Sequence, residues 1–390
     1  MWALAFYSVN QILLPQRFKD AGMEDPETLI STLSAAGAIV ALFANVILGG
    51  LSDRSRSKFG RRTPFMVGGS LLAGICIYLT YVFTTPSLII LAWCGFQLGL
   101  NALLAPFIAT MADRIPKDGR ASMSAVYGIG LSVGGASGSI VGAWFISVST
   151  PGVGFAIGAI LLAADGLIVT LIWPKEPSAA NMPKADSGVL SMLKSFIPPT
   201  KDARDFYLAL FGRLLLMTGY YITAGLLLYV IESYIGQDAT TAATTVATIT
   251  VVNMIVAIIS SLIAGVISDR LQRRKPLVII CAAVFGFSFL FPYFWPTATS
   301  MIIGGAIGGF ALGIYNACDG ALNVDVLPSK EQSGKDLGFL NMSNTVGQVL
   351  GPLGAAAIYR ILGTFKPIYP IGLVLVIISM LFIIPIKKAR

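Results

Sequence analysis

The chain has 390 residues, of which 55% are hydrophobic and only 12% are charged. Soluble domains carry about 25% charged residues, so composition excludes a water-soluble globule and predicts an integral membrane protein. The absence of His excludes a Ser-His-Asp hydrolase and any His-ligated metal centre. The four Cys residues lie far apart in apolar runs, which is typical of small buried side chains. Neither a metal nor a cofactor is expected.

Apolar runs of the length that a bilayer helix needs, about 20 residues, recur along the whole chain. In chain order they cover residues 1–18, 28–51, 65–84, 87–113, 121–149, 152–174, 205–234, 240–267, 276–295, 298–326, 336–363 and 366–386. The first run lacks the basic flank and cleavage site of a signal peptide, so it is predicted to be a membrane helix. Continuous runs favour helices over a barrel. The predicted fold is therefore an all-α membrane protein with twelve transmembrane helices.

A polar, Pro-rich stretch divides these helices evenly and is typical of a linker. The predicted organisation is an N-terminal six-helix bundle over 1–174, a cytoplasmic linker over 175–204 and a C-terminal six-helix bundle over 205–390. Most Lys and Arg residues follow even-numbered helices, so these loops and both termini are predicted to be cytoplasmic in a multi-pass cell-membrane protein. The net charge of +8 follows from this topology, and no nucleic-acid partner is expected.

The two halves repeat one pattern at matching positions. Helix two ends in GGLSDR at residues 49–54, and helix eight ends in GVISDR at residues 265–270. Helices four and ten end alike, at Asp113 and Asp325. This repeat predicts two related bundles in pseudo-symmetry with a cavity between them, as in many secondary transporters.

The loop GGLSDRSRSKFGRRTP, residues 49–64, resembles the cytoplasmic signature of the major facilitator superfamily. Its long spacing between Asp53 and Gly60 is most similar to the glycoside–pentoside–hexuronide and sucrose-type symporters. The resemblance implies a transporter, expected to be monomeric, that works by alternating access. In glycoside symporters two aspartates on helix two bind sodium, but the matching positions here are Ala41 and Asn45. A hard cation prefers carboxylate ligands, so a proton is the expected coupling ion.

The resemblance also implies an inner gate in which Asp53 meets the positive N-terminus of helix eleven near Asp336. The alternative is that the loop is only anchored to lipid headgroups. The predicted gate residues are Asp53, Arg54, Gly60, Arg61, Arg62, Asp113, Asp269, Arg270 and Asp325.

Charged residues inside a bilayer cost at least about 2.5–3.5 kcal/mol at mid-helix, so they are functional candidates by default. On helix ten Asp319 shares a face with Asn316 and Asn323 and lies beside Tyr315. We expect Asp319 to bind a proton or the substrate; a hydrogen-bonded structural Asp is the alternative.

Helices six and seven supply further candidates. On helix seven Arg213 and Glu232 could bind solute or could only extend to the membrane faces, and Tyr220 and Tyr221 lie between them. Asp165 lies mid-span in helix six, where it either serves transport or packs as a structural carboxyl.

Side-chain amides suit the hydroxyl groups of sugars, because both donate and accept hydrogen bonds. They can equally join helices to each other. The candidate amides are Asn10, Gln11, Gln97, Asn101, Asn341, Asn344 and Gln348, and helix eight adds Asn253.

Helix five is rich in Gly between Gly128 and Gly142, and helix eleven carries Gly347, Gly351 and Gly354. Small residues at this spacing predict close packing, of helix five with eight or of helix two with eleven. The helix-five stretch also resembles the signature of drug–proton antiporters. The predicted function is proton-coupled transport of a small hydrophilic solute, a sugar or glycoside; the alternative is proton-coupled export of lipophilic compounds. No catalytic constellation indicates an enzyme.

Overall fold

A computed structural model describes the backbone of residues 1–114, 120–173, 175–180, 199–200, 202–271, 275–328 and 333–387. Some side chains within these helices lie outside the described set, among them the predicted gate residues Asp53, Asp113, Asp269 and Arg270. Within the described residues every regular element is a helix.

In the part of the chain that the structure describes, twelve helices, labelled α1 to α12, follow one another. α1 consists of Trp2–Ser8, the π-helical Val9–Leu13 and Leu14–Asp20; then come α2 Pro26–Arg54, α3 Thr63–Val82, α4 Pro86–Arg114, α5 Arg120–Ser147 and α6 Pro151–Ile172. α7 consists of Arg204–Ala224, Leu227–Val230 and the π-helical Ile231–Ile235; then come α8 Ala239–Leu271, α9 Lys275–Ser288 with Leu290–Phe294, α10 Ala298–Asp325, α11 Ser333–Leu362 and α12 Ile368–Ile383.

These helices confirm the predicted all-α membrane fold. In the described part of the chain nine of them, α2 to α10, are long and apolar enough to span a membrane, and α1, α11 and α12 complete the twelve. Pro residues in the first turn open α2, α3 and α6, where a missing N–H costs no hydrogen bond.

Outside the membrane, Asp238 caps the beginning of α8. Its carboxylate accepts hydrogen bonds from the backbone N–H and the hydroxyl of Thr241, at 3.2 and 3.0 Å. These bonds stabilise the charged form and lower the pKa of Asp238 below its ordinary value.

The first helix of each half departs from the uninterrupted runs predicted at 1–18 and 205–234. α1 contains the π segment Val9–Leu13, and α7 breaks after Ala224 before it ends in the π segment Ile231–Ile235. At the break, the ring of Pro352 from α11 packs where a side chain on Gly225 would be. Because π segments redirect side chains and recur at functional sites, these two helices are suited to bind ligands.

The chain divides into two compact units, Met1–Lys194 and Ser195–Arg390. In the first unit α1 packs on α5 and α6, α2 on α4, and α3 on α4 and α6. In the second unit α7 packs on α11 and α12, α8 on α10, and α9 on α10 and α12. Each pairing in one unit therefore has its counterpart six helices later in the other, as the sequence repeat predicts. The linker 175–204 stays a prediction, because residues 181–198 lie outside the described part.

Glycines allow the closest of these approaches. A Cβ on Gly138 of α5 would collide with the Leu4 carbonyl oxygen of α1, whereas Gly128 and Gly130 have open space. In the second unit a Cβ on Gly347 of α11 would lie 2.7 Å from Met217 of α7. Within each unit the glycines thus bring α5 onto α1 and α11 onto α7, whereas the glycine spacing predicts helices eight and two as their partners. Those two pairings join different units and stay a prediction.

Candidate substrate site

An ion pair inside the second unit joins two of the predicted site residues. Arg213 on α7 donates from Nη1 to Asp319 Oδ2 on α10 at 2.8 Å, and the two side chains are only 13% and 9% exposed. Arg213 lies nine residues after the beginning of α7 and Asp319 six residues before the end of α10, so both are about two turns or more inside the membrane helices. The pair neutralises two charges that would be costly alone.

Polar side chains of α10 surround this pair. Asn323 donates from Nδ2 to Asp319 Oδ2 at 2.8 Å, so one carboxylate oxygen accepts two hydrogen bonds. Tyr315 is 4% exposed, and its hydroxyl lies next to the Asp319 carboxyl and interacts with it. The Nε of Arg213 has no hydrogen-bond partner in the described part of the chain. The cluster therefore has one buried donor, the Nε of Arg213, available to a ligand.

A small apolar pocket, a cavity with room for about one water molecule, adjoins the cluster on the same side of α7. Its walls are Leu216, Met217, Tyr220, Cys281, Phe285, Ala311, Leu312 and Tyr315. The rings of Tyr220 and Phe285 have their centroids 5.6 Å apart. A ligand here would meet charge at one end and aromatic surface along its body.

Several predicted amides of the second unit remain exposed. Asn316 on α10 and Asn341 and Gln348 on α11 are exposed, and Asn344 is half-buried. Gln348 donates to the Tyr221 hydroxyl at 3.0 Å. Because an amide facing lipid would lose its hydrogen bonds to water, exposed amides on membrane helices indicate contact with water.

The amides of the first unit mostly join helices. Gln11 accepts a hydrogen bond from Ser139 at 2.8 Å, which links α1 to α5. Asn45 donates to Asn101 at 3.3 Å and links α2 to α4, and Asn101 donates to the Gln97 carbonyl. Asn10 is half-buried. In the second unit Asn253 likewise bonds to the Gly305 carbonyl of α10 at 3.2 Å.

Two other predicted residues lie away from the Arg213–Asp319 cluster. Asp165 is buried in α6 and accepts a hydrogen bond from the backbone N–H of Trp2 at 3.1 Å, so it caps the beginning of α1. Glu232 is half-buried in the π segment of α7, 19 residues and so roughly 28 Å along the chain from Arg213.

The predicted gate loop has an ordered interior. Arg62 is 4% exposed and donates from Nη1 to the Ser52 hydroxyl at 3.1 Å. Arg54, Arg61 and Asp325 are half-buried. The gate itself stays a prediction, since the side chains of Asp53, Asp113, Asp269 and Arg270 lie outside the described residues.

Glu176 contacts this loop, and no sequence pattern predicts that contact. Glu176 follows α6 and accepts hydrogen bonds from the backbone N–H groups of Arg62 and Thr63, each at 3.0 Å, and from the Thr63 hydroxyl. Gly60 has φ +96°, and a Cβ there would collide with the Glu176 carboxylate. Ala179 adds a backbone bond to Ser57 at 3.1 Å. Glu176 and Ala179 thus anchor the loop. Because they lie in the polar stretch 175–204, which is predicted to be a linker, the sequence does not predict this contact. The one signal in the sequence is that Glu176 is a carboxylate placed just after an apolar helix.

The family model described as Major Facilitator Superfamily matches residues 3–221 and 209–390. The fold is similar to a mutant of the nucleoside transporter NupG, with TM-score 0.76 and 14% identity over 99% of this chain and 97% of that chain. It is also similar to a POT family transporter in complex with 5-aminolevulinic acid, with TM-score 0.76 and 12% identity over 98% of this chain and 93% of that chain.

A bacterial homologue of the human lysosomal transporter Spinster is similar at TM-score 0.70 and 14% identity, over 100% of this chain and 95% of that chain. No curated protein sequence matches the chain. At these identities the structural likeness concerns the fold alone.

Proposed function

The chain belongs to the major facilitator superfamily and is a membrane transporter, and we propose that it moves a small hydrophilic solute, a sugar or glycoside, driven by protons. Transport proceeds by alternating access of one site to the two sides of the membrane, with both termini in the cytoplasm and no enzymatic step. The chain works as a monomer in this proposal.

The exposed amides of the second unit carry the proposal for a hydrophilic solute. Asn316, Asn341 and Gln348 lie exposed on membrane helices, where side-chain amides need water or a hydroxyl-rich ligand. The hydroxyl of Tyr221, already bonded to Gln348, extends this polar surface. Of two similar structures, one is a nucleoside transporter and the other is in complex with 5-aminolevulinic acid, and nucleosides and this acid are both small and hydrophilic.

The proposal for proton coupling depends on Asp319. It is a buried carboxylate in a membrane helix, and its hydrogen bonds to Arg213 and Asn323 can rearrange when it takes up a proton. Sodium fits less well, because Ala41 and Asn45 occupy the positions of the sodium-binding aspartates in similar symporters. Asn45 is bonded to Asn101 and supplies no carboxylate.

The walls of the pocket favour a second candidate, a proton-coupled exporter of lipophilic compounds. Leu216, Met217 and Phe285 line the pocket beside the ion pair, together with two tyrosines, and no amide is among its described lining residues. Such a surface accommodates an apolar body better than a sugar.

Uptake into proteoliposomes separates the two candidates. We expect a labelled sugar or glycoside from a panel to accumulate under an imposed pH gradient, and the same protein to ignore lipophilic dyes. Accumulation that follows sodium and is indifferent to pH would overturn the coupling proposal, and dye transport without any sugar transport would overturn the proposed cargo.

A further inference from the structure

We propose that Arg213 exchanges the Asp319 carboxylate for the carboxylate of an acidic solute while Asp319 takes up a proton. The inference rests on the proposed function and deepens it, since it names the class of cargo. The cargo is a small monocarboxylate with a ring as its body, such as a sugar acid. The ion pair of 2.8 Å between Arg213 and Asp319 is then the state of the empty site, with the protein's own carboxylate in the solute's place.

The charges of the site require the two events to occur together. The empty site holds one positive and one negative charge. An anion bound without a proton leaves a surplus negative charge, and a proton bound without an anion leaves Arg213 uncompensated. Both states place an unpaired charge inside the membrane, where it is strongly disfavoured. Anion and proton bound together restore a neutral site, so the two ligands are obligatorily coupled.

The surface next to Arg213 is apolar and aromatic, the chemistry that contacts a ring attached to the carboxylate. Leu216, Met217 and Tyr220 follow Arg213 on one face of α7, at the spacing that aligns side chains along a helix. Phe285 from α9 completes an aromatic wall, with its ring centroid 5.6 Å from that of Tyr220. Aromatic faces pack well against the C–H faces of a sugar ring.

An unused donor marks where the carboxylate binds. The Nε of Arg213 is buried and has no hydrogen-bond partner among the described residues. A carboxylate accepts two parallel bonds from a guanidinium, which the single bond to Asp319 leaves unfilled. The solute thus gains hydrogen bonds that the empty site lacks.

The other groups that face Asp319 do not compete for the proton. Arg213 faces it from α7, Cys281 from α9, and Tyr315 and Cys318 lie on α10 itself. Thiols and phenols are neutral near pH 7. Residues 239–264 of α8, the part whose side chains are described, contain no titratable group, and Asp336 is buried near the beginning of α11. Asp319 is therefore the proton acceptor of this cluster.

The step balances in atoms and charge. A proton from water forms an O–H bond with an Asp319 oxygen, and the guanidinium of Arg213 redirects its N–H groups from Asp319 to the solute carboxylate. Release on the other side reverses both changes. One proton accompanies one monoanion, so no net charge crosses the membrane.

Acid–amide pairs test the inference on the native protein. In proteoliposomes we compare glucuronate with glucuronamide, and other sugar acids with their amides, under a pH gradient or a potassium diffusion potential. We expect an acid to accumulate at least tenfold faster than its amide, to respond to the pH gradient, and to ignore the potential. Neutral sugar uptake that responds to the potential would overturn the inference and leave the proposed function standing.

A second measurement needs no knowledge of the solute. Asp319→Asn leaves Arg213 unpaired, so we expect acetate at constant ionic strength to raise the thermal unfolding temperature of this variant. The matched control is the double variant Arg213→Gln with Asp319→Asn, in which acetate has no cation to bind. Equal responses of the two proteins, or none in either, would show that Arg213 holds no external carboxylate. If Asp319→Asn does not fold, the acid–amide comparison on the native protein decides alone.

Discussion

The two units pair their helices in the same way but use their membrane-embedded charges differently. In the first unit Asp165 accepts the backbone N–H of Trp2, and Arg17 donates to the carbonyl oxygens of Tyr81 and Phe83 at 2.8 and 2.9 Å. These charges satisfy helix ends. In the second unit Arg213 and Asp319 bind each other and leave the Nε of Arg213 without a partner among the described residues. A charge bound to backbone is structural, whereas a pair of side chains can exchange partners.

Of the substitutions in the two units, Arg213→Gln should lower the free energy of unfolding most. The substitution leaves Asp319 buried without its cation, which costs about 3–5 kcal/mol when a buried pair is broken. Thermal unfolding in detergent measures the loss. Adding Asp319→Asn should recover most of it, because the double variant buries no charge. A double variant as unstable as Arg213→Gln alone would contradict the pairing.

Helix packing in the first unit can be broken at one glycine. Gly138→Leu places a side chain against the Leu4 carbonyl of α1, and overpacking of this kind costs about 1–3 kcal/mol. Size-exclusion chromatography should show less folded protein. Gly130→Leu is the matched control on the same helix, since Gly130 has open space, and it should behave as the native protein.

The gate prediction can be tested by comparing the repeated motifs of the two units. Asp53→Asn should leave insertion and expression unchanged but slow transport about tenfold or more, equivalent to about 1.4 kcal/mol. Asp269→Asn, at the matching position of the second unit, should slow it less. Flux in proteoliposomes at equal protein amounts decides, and native flux in Asp53→Asn would refute the gate.

The anchor of the gate loop should respond to Gly60→Ala. A residue with a side chain at φ +96° pays roughly 1–2 kcal/mol, and here it also collides with Glu176. Gly22→Ala measures the cost of the positive φ alone, because Gly22 has φ +61° and open space around it. Unfolding temperatures should fall further for Gly60→Ala, and Glu176→Ala in the same chain should remove the excess. Equal losses at both glycines would mean that Glu176 exerts no steric effect.

The smallest effect is expected at Asp165. Asp165→Asn keeps an oxygen that accepts the Trp2 N–H, so the change in unfolding free energy should stay within about 1 kcal/mol. Transport should keep its native dependence on pH. If Asp165→Asn lost proton coupling, the first unit would also contain a proton site, and the two units would not differ in this respect.

Much of the fold could be predicted because apolar runs report directly on membrane helices. Residues 298–326 are predicted for helix ten and Ala298–Asp325 are found; for helix two, 28–51 becomes Pro26–Arg54. The interruptions of α1 and α7 could not be predicted, because Leu and Ile are equally apolar in an α and a π segment. At the break near Gly225 the contact is with Pro352, a residue far along the chain.

The residues of the candidate site could be predicted from the sequence, but the contacts between them could not. Arg213 and Asp319 each stand out as charges in apolar runs, but only the rotation and depth of their helices bring them to 2.8 Å. Gln11 and Asn101 show the converse: as amides they suit the hydroxyl groups of a solute, but each bonds to a neighbouring helix. Glu176 has no helical pattern around it, so its role depends wholly on tertiary contact.

The attachment of Glu176 and Ala179 to the first unit also shortens the tether between the two halves of the polypeptide. The described chain is fastened as far as Ala179, and residues 180–203 lie between it and the beginning of α7 at Arg204. Cleavage at a protease site inserted after residue 180 would separate the two halves and leave the bonds of Glu176 and Ala179 to the loop intact. The two halves could then be produced as separate polypeptides, and the N-terminal one would still contain Glu176 and Ala179.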